Sequence, residues 1–272
     1  MTAVGRVLGA LNRMPIGERA VRVDGDRLYV ASLDRWLAAL GWKVGLLERG
    51  ERRLMARIVR PGMVAVDVGA NVGVHTLRLA RAVGAAGRVH ALEPEPGNFR
   101  LLARAVRESG LAQVRLHAAA AADGAGTLHL YLSPVNRGDH RLHPDADARH
   151  EVTVDAVVLD DVLADEPHVD FVKIDVQGAE VFVLRGLRRT LGRRPAAGVV
   201  CELSPALQRR AGTDPEEFFA LFRAAGLAPH RIRRDGGTEA VSERDAIAAA
   251  GPSGYVNLWF AGSRTATDIE RR

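Results

Sequence analysis

Between residues 63 and 120 the hydrophobic period switches repeatedly, and this alternation limits the possible folds more than any other feature of the chain. MVAVDVG (63–69) is a continuous apolar run ending in glycine, the pattern of a strand covered on both faces in a parallel sheet. VGVHTLRLARAVG (72–84) has helical spacing and stops at Gly84. RVHALEP (88–94) reads as a second strand, PGNFRLLARAVRESG (96–110) as a second helix and VRLHAAA (114–120) as a third strand. Strands and helices in that order make a βαβαβ half-sheet. Further on, VDFVKIDV (169–176) and AGVVCELS (197–204) read as core strands. AEVFVLRGLRRTL (179–191) and DPEEFFALFRAAG (214–226) read as helices, and YVNLWFA (255–261) as a last strand returning antiparallel. The expected fold is α/β: a Rossmann-like, mostly parallel seven-stranded sheet with helices on both faces.

The flanks add less. Residues 21–31 alternate around Asp24-Gly25, a hairpin signal, and 33–58 carry helical spacing. TLHLYL (127–132) reads as a hairpin strand, 133–150 as a long loop and 152–163 as a strand or a helix. The implied division is an N-terminal hairpin and helical extension over the ligand edge (1–58), a main domain (59–262) and a loose polar tail (263–272). Cys201 is the one cysteine, so an intrachain disulfide is impossible; this fits a reducing cytoplasm and disfavours a cysteine metal site. No apolar run reaches membrane-span length. The opening MTAVGRVLGALNRMP is too interrupted for a signal peptide. It reads as a packed terminal helix, or as a short amphipathic one making weak membrane-surface contact if the ligand is a lipid. The net charge of +5 comes mostly from arginines interleaved with acids, and aromatics are few, which argues against a nucleic-acid partner. A homodimer is compatible with the chain.

Asp67-Val68-Gly69-Ala70-Asn71-Val72-Gly73 lies between the first strand and the first helix. Gly69 permits a sharp exit from the strand, and Gly73 permits close approach to a ligand at the helix start. A dinucleotide site needs G-x-G-x-x-G, but Asn71 and Val74 occupy its second and third glycine positions. A pyrophosphate would lose its backbone cradle there. S-adenosylmethionine has no phosphate and needs acceptors for its ammonium, for which Asp67 is placed, and N–H groups for its carboxylate. Glu93 closes the second strand, where an acid can hold both ribose hydroxyls; taken alone, it equally suits a cap on the following helix. Small residues around Ala119 leave a flat slot for adenine. Ala70, His75 and Thr76 complete this candidate set.

Together, VDVGANVGVHTLRLA, HALEPEPGNFRLLARAV and FVKIDVQGAEVFVLRGL resemble the FkbM-type methyltransferases, over about residues 47–205. ERGERRLM (48–55) is also similar to an acidic helix start in that family. The resemblance implies a class I methyltransferase fold, S-adenosylmethionine as cofactor, and methyl transfer to a hydroxyl of a sugar, glycolipid or polyketide-type secondary metabolite. It carries Asp67, Gly69, Asn71, Gly73 and Glu93 over as cofactor residues. Gln177 stands where many members have glutamate. N- or carboxyl-methylation is the nearest alternative. An RNA methyltransferase is disfavoured because Asp175-Val176-Gln177-Gly178 replaces an N-P-P-Y-like motif.

The methyl acceptor is expected at the carboxyl ends of the strands. Asp175, Gln177, Glu180 and Glu202 reach that edge, with Lys173 placed to ion-pair with Asp175. The loop after residue 132 holds Asn136, Asp139, His140 and Arg141 as acceptor contacts. An alcohol loses its proton during transfer, and a histidine or carboxylate in reach can take it. His140, Asp175 and Glu202 are the candidates in that order, with a solvated surface role as the plain alternative for His140. Asp160-Asp161 reads as a helix cap or surface turn, and no metal is expected.

Overall fold

The structure is a computed structural model that describes residues 17–31, 33–45, 47–133, 140–142, 150–193, 198–251 and 254–262. β1 (Arg19–Val23) and β2 (Asp26–Val30) form the expected hairpin. Asp24 and Gly25 both take positive φ, 51° and 92°, as a two-residue primed turn requires. The helices α1 (Leu33–Lys43) and α2 (Arg49–Ile58) follow. Then come β3 (Val64–Val68), α3 (Val74–Val83), β4 (Arg88–Leu92), α4 (Pro96–Glu108) and β5 (Val114–His117), the anticipated half-sheet.

β6 (Ala120–Ala122), β7 (Gly126–Leu132) and β8 (His150–Val158) leave the main sheet and form a separate three-stranded one, in the order β6-β8-β7. One expectation is corrected here and one open alternative is resolved. The third strand stops at His117, and Ala120 already belongs to the small sheet. Residues 152–163 are strand first, then the single-turn α5 (Leu159–Val162). The chain continues through β9 (Phe171–Ile174), α6 (Glu180–Gly186), α7 (Arg188–Arg193), β10 (Gly198–Leu203), α8 (Pro205–Arg210) and α9 (Pro215–Ala224). It ends in β11 (Ala228–Ile232), β12 (Thr238–Ala240), α10 (Glu243–Ala250) and β13 (Val256–Ala261). Asp160 is a cap, as one reading allowed, but for α7: it accepts the Arg189 and Thr190 N–H groups, both at 2.8 Å.

The main sheet has eight strands in the order β12-β11-β13-β10-β9-β3-β4-β5. β10, β9, β3, β4 and β5 pair in parallel, and β13 lies antiparallel between β10 and β11. Two reversals return β11 to the direction of the parallel strands. This is the class I methyltransferase arrangement, with the three-residue β12 as an eighth strand at the edge. The two end strands before β13 had no clear periodic signal, being short and, in β11, interrupted by Pro229.

Alternation along the strands builds two cores. Ala65, Val89, Ala91 and Phe171 pack on one face with the hairpin, α2, α3 and α4. Val66, Val68, Val172, Ile174 and Cys201 pack on the other with α6 and α9. Both faces being covered explains why these strands read as unbroken apolar runs. The sheet reverses its order of growth between β3 and β9, the switch point where α/β sheets open a crevice.

At that crevice Gly69 sits at φ +80°, and a Cβ there would lie 2.0 Å from the Asp175 carbonyl oxygen. Gly110, at φ +66°, has no atom within 4 Å of the place a Cβ would take. In urea denaturation Gly110→Ala is therefore expected to cost about 1 kcal/mol, the backbone penalty alone. Gly69→Ala is expected to cost at least about 2–3 kcal/mol, because backbone must also shift; equal costs would refute the close-approach argument.

Candidate functional site

Because the strands are parallel, their carboxyl ends deliver the motif residues to one edge. Gly69 N–H and Ala70 N–H both donate to Leu92 carbonyl (3.1 and 2.9 Å), and Asp175 N–H donates to Val68 carbonyl at 3.1 Å. Glu93 N–H is fixed on His117 carbonyl at 3.1 Å. The turn between β3 and α3 runs through Asn71 at φ +56° and Gly73 at φ +98°.

Glu93 is buried and braces this turn. Its Oε2 accepts Asn71 N–H (2.8 Å) and its Oε1 accepts Glu95 N–H (3.0 Å). The cap on α4 is Glu95, which accepts Gly97 and Asn98 N–H groups at 2.9 and 2.6 Å. The capping alternative for Glu93 therefore falls to its neighbour. Asp67 lies beneath the turn with no exposed surface: Oδ2 accepts the Thr76 hydroxyl at 2.6 Å, and Oδ1 is buried without a partner. Asp67 and Thr76 thus support the turn from below and do not line its open side, contrary to the expected ammonium contact.

Two cavities flank the turn. One, of about 570 Å³, is walled by Glu93, Asn98, Ala119, Ala120, Leu130 and His140. The other, of about 1190 Å³, is walled by Trp42, Glu48, His75, Lys173, Glu202 and Tyr255. Gly69, Asn71, Asp175 and Gln177 line both, so the cavities meet at the switch point.

The larger chamber carries a chain of polar groups. Lys173 ion-pairs with Asp175 (3.3 Å), as its position two residues earlier suggested. Gln177 Nε2 donates to Asp175 Oδ1 (3.0 Å) and to Glu202 Oε1 (3.1 Å). Burial acts to lower the Lys173 pKa, but Asp175, Asp67 and Glu48 outweigh it and hold the ammonium charged. Burial, reinforced by the charges of Asp175 and Glu180, pushes Glu202 well above the usual carboxylate range. Opposite, Glu48 Oε2 meets His75 Nε2 at 2.7 Å. Burial alone would raise Glu48, yet His75 and Lys173 hold it at about 2.

The remaining expected residues separate. His140 stands on the smaller cavity, and its Nδ1 accepts Ser133 N–H at 3.1 Å. Arg141 pairs by backbone with Tyr131. Asn136 and Asp139 lie outside the described residues. Glu180 is wholly buried under the crevice: Oε1 accepts Gly178 N–H at 3.0 Å and Oε2 accepts Gln208 Nε2 at 3.3 Å. It fixes the turn that carries Gln177 at φ +53°, and touches no open space. Trp42, Tyr255 and Asn257 were not foreseen; Glu48 had a signal only in the ERGERRLM resemblance. Among the described residues no three His, Cys, Asp or Glu side chains converge as a metal site, and no helix is long and apolar enough to cross a membrane.

The methyltransferase FkbM domain model matches residues 67–227, more than half of the chain. The chain belongs to the FkbM methyltransferase family. A Beauveria bassiana protein named Methyltransferase 1 is 32% identical over 45% of this chain and 57% of its own length. The hexuronic acid methyltransferase AglP of Haloferax volcanii is 27% identical over 71% of this chain and 77% of its own. The 31-O-demethyl-FK506 methyltransferase FkbM of Streptomyces tacrolimicus is 31% identical over 47% and 61%. The chain therefore spans somewhat over half the length of the first and last of these relatives. The FkbM domain begins at Asp67, so the hairpin, α1 and α2, which supply Trp42 and Glu48 to the larger chamber, precede it.

Burial raises the Glu180 carboxyl to about 7 from its ordinary 4.5. Between those values the folded protein holds a proton that the unfolded chain has lost, so this group makes stability fall as pH rises. Urea titrations at pH 5 and pH 8 are expected to show Glu180→Gln gaining up to about 3 kcal/mol on the wild type across that interval. A difference independent of pH would overturn the assignment.

Proposed function

We propose that this protein is an S-adenosylmethionine-dependent O-methyltransferase acting on a hydroxyl of a small, hydroxyl-rich molecule: a sugar, glycolipid or polyketide-type metabolite. The observation that carries the reading is the shared wall of the two cavities. A donor on one side and an acceptor on the other meet at Asp175.

The chemistry of the smaller cavity fits an adenosyl group. An ionised carboxylate offers about four acceptor positions, so Glu93 has the right chemistry for a ribose diol while bracing the turn. Ala119, Ala120 and Leu130 offer a narrow apolar slot for a flat ring. The carboxylate of Asp175, on the wall the two cavities share, suits the sulfonium charge. The bound cofactor supplies a methyl group already activated on sulfur. What remains for the protein is to align the acceptor oxygen, exclude water and take one proton.

Asp175 is our choice for that proton. It lies where the cavities meet, and Lys173 and Gln177 hold both its oxygens. A histidine whose Nδ1 accepts a backbone N–H keeps its own proton on Nε2, so His140 presents a donor to the adenosyl side and is moved behind Asp175. Burial pushes the Glu202 carboxyl well above its ordinary range and Gln177 occupies one of its oxygens, so it ranks behind Asp175. Trp42 and Tyr255 offer ring faces, and Glu48 and Asn257 polar groups, a lining suited to a carbohydrate-like body. The relatives named for a hexuronic acid and for the FK506 skeleton are compatible with such an acceptor.

Calorimetry with S-adenosylhomocysteine is expected to show binding that Glu93→Ala weakens by about 1–3 kcal/mol through lost charge-assisted hydrogen bonds. Binding of NAD in its place would sink the reading. With labelled S-adenosylmethionine and producer extracts, Asp175→Asn is expected to lower turnover by about 10²–10⁴-fold, the contribution of a general base. His140→Ala should change turnover by less than about tenfold; the reverse ranking would return the base to His140.

A further inference from the structure

A third cavity, of about 1250 Å³, opens between the β1–β2 turn, α2 and α3, and the methyl-transfer reading makes no use of it. Five arginines line it (Arg49, Arg52, Arg53, Arg78 and Arg81) against two aspartates, Asp24 and Asp26. Three elements contribute these arginines and aspartates, so the charge is gathered by the fold and not by one helix. Met55, Val59 and Leu79 supply apolar surface in the same cavity.

The pairing inside it is incomplete. Asp24 is gripped from two sides: Arg52 Nη2 donates to its Oδ1 at 2.8 Å, and Arg78 Nε donates to its Oδ2. Asp26 accepts Arg81 Nη2 at 2.6 Å. Both terminal nitrogens of Arg78, however, are buried and have no hydrogen-bond partner. A guanidinium presents five donors in a fixed planar fork, and withdrawing them from water without acceptors is unfavourable. Burial, then the neighbouring Arg52 charge, lower the Arg78 pKa, while Asp24 and Glu48 oppose that shift. The cavity thus gathers three positive charges beyond its aspartates, and among its lining residues is a guanidinium whose two terminal nitrogens are buried without partners.

We propose that this arginine-lined cavity binds a phosphate-bearing ligand whose apolar part lies along Met55, Val59 and Leu79. A phosphomonoester or diphosphate carries the two or three negative charges that match the excess, and its oxygens suit paired guanidinium forks better than a single carboxylate does. The ligand is either a soluble phosphorylated metabolite or the headgroup of a phospholipid; both present the same group to Arg78.

The test is calorimetry with hexyl phosphate and methyl phosphate on the full chain, with S-adenosylhomocysteine binding measured in parallel. Saturable one-to-one binding of hexyl phosphate is expected, tighter than that of methyl phosphate. Arg78→Gln and Arg49→Ala should each weaken it at least about tenfold while leaving S-adenosylhomocysteine affinity unchanged. Arg49 is exposed, so its variant serves if loss of the Arg78–Asp24 contact impairs folding. Competition by phosphatidic acid vesicles, and not by phosphatidylcholine vesicles, identifies a lipid source; no competition identifies a soluble one. Absence of saturable binding, or binding that both variants leave unchanged, overturns the site. Failure of the wild type to bind S-adenosylhomocysteine would instead count against the methyltransferase reading and leave this one standing.

Discussion

The structure turns on one backbone contact. Where the sheet reverses its growth between β3 and β9, the chain leaving β3 passes so near the Asp175 carbonyl that only a residue without Cβ fits. That approach puts the end of the first strand and the end of the fourth core strand side by side. Gly69, Asn71, Asp175 and Gln177 thereby become one wall shared by two cavities. Without it, the two cavities would have no common boundary.

Around this contact the buried carboxylates divide the work by environment. Asp67 and Glu180 have no exposed surface: one oxygen of Asp67 accepts from Thr76, and the two of Glu180 accept from Gly178 and Gln208. Glu93 straddles the two roles, bracing Asn71 while lining a cavity. Asp175 and Glu202 line the larger cavity, one ion-paired to Lys173 and the other with its pKa pushed up by burial and by its neighbours' charges. Carboxylates close together are tolerable only when cations and amide donors separate them. Lys173 and Gln177 do this here, so neither is replaceable by a residue of similar size alone.

The N-terminal hairpin and helices are more than a cover. They carry Glu48 and Trp42 to the larger chamber and pack Val21, Leu28 and Leu54 into the same core as α3 and α4. α2 also lines the arginine cavity. The same N-terminal elements therefore line both a proposed acceptor site and a proposed phosphate site.

The local period of the chain was enough to determine the parallel strands, the two helices of the first half-sheet, the primed hairpin turn and the edge at which Gly69, Glu93 and Asp175 emerge, while the one helix expected over 179–191 is two, Glu180–Gly186 and Arg188–Arg193. Each depends on neighbours within a few residues and on the rule that parallel strands share a direction. The sequence did not determine the depth of each side chain. Asp67 and Glu180 looked like ligand contacts, but lie under the turns they support, because burial depends on what packs above a strand end. Nor did it reveal the break after His117, where small alanines suit either sheet and tertiary pairing with β8 decided the matter. Trp42, Glu48, Tyr255 and Asn257 come from opposite ends of the chain. Only folding, which brings the N-terminal helices and the returning β13 to the same crevice, could place them together.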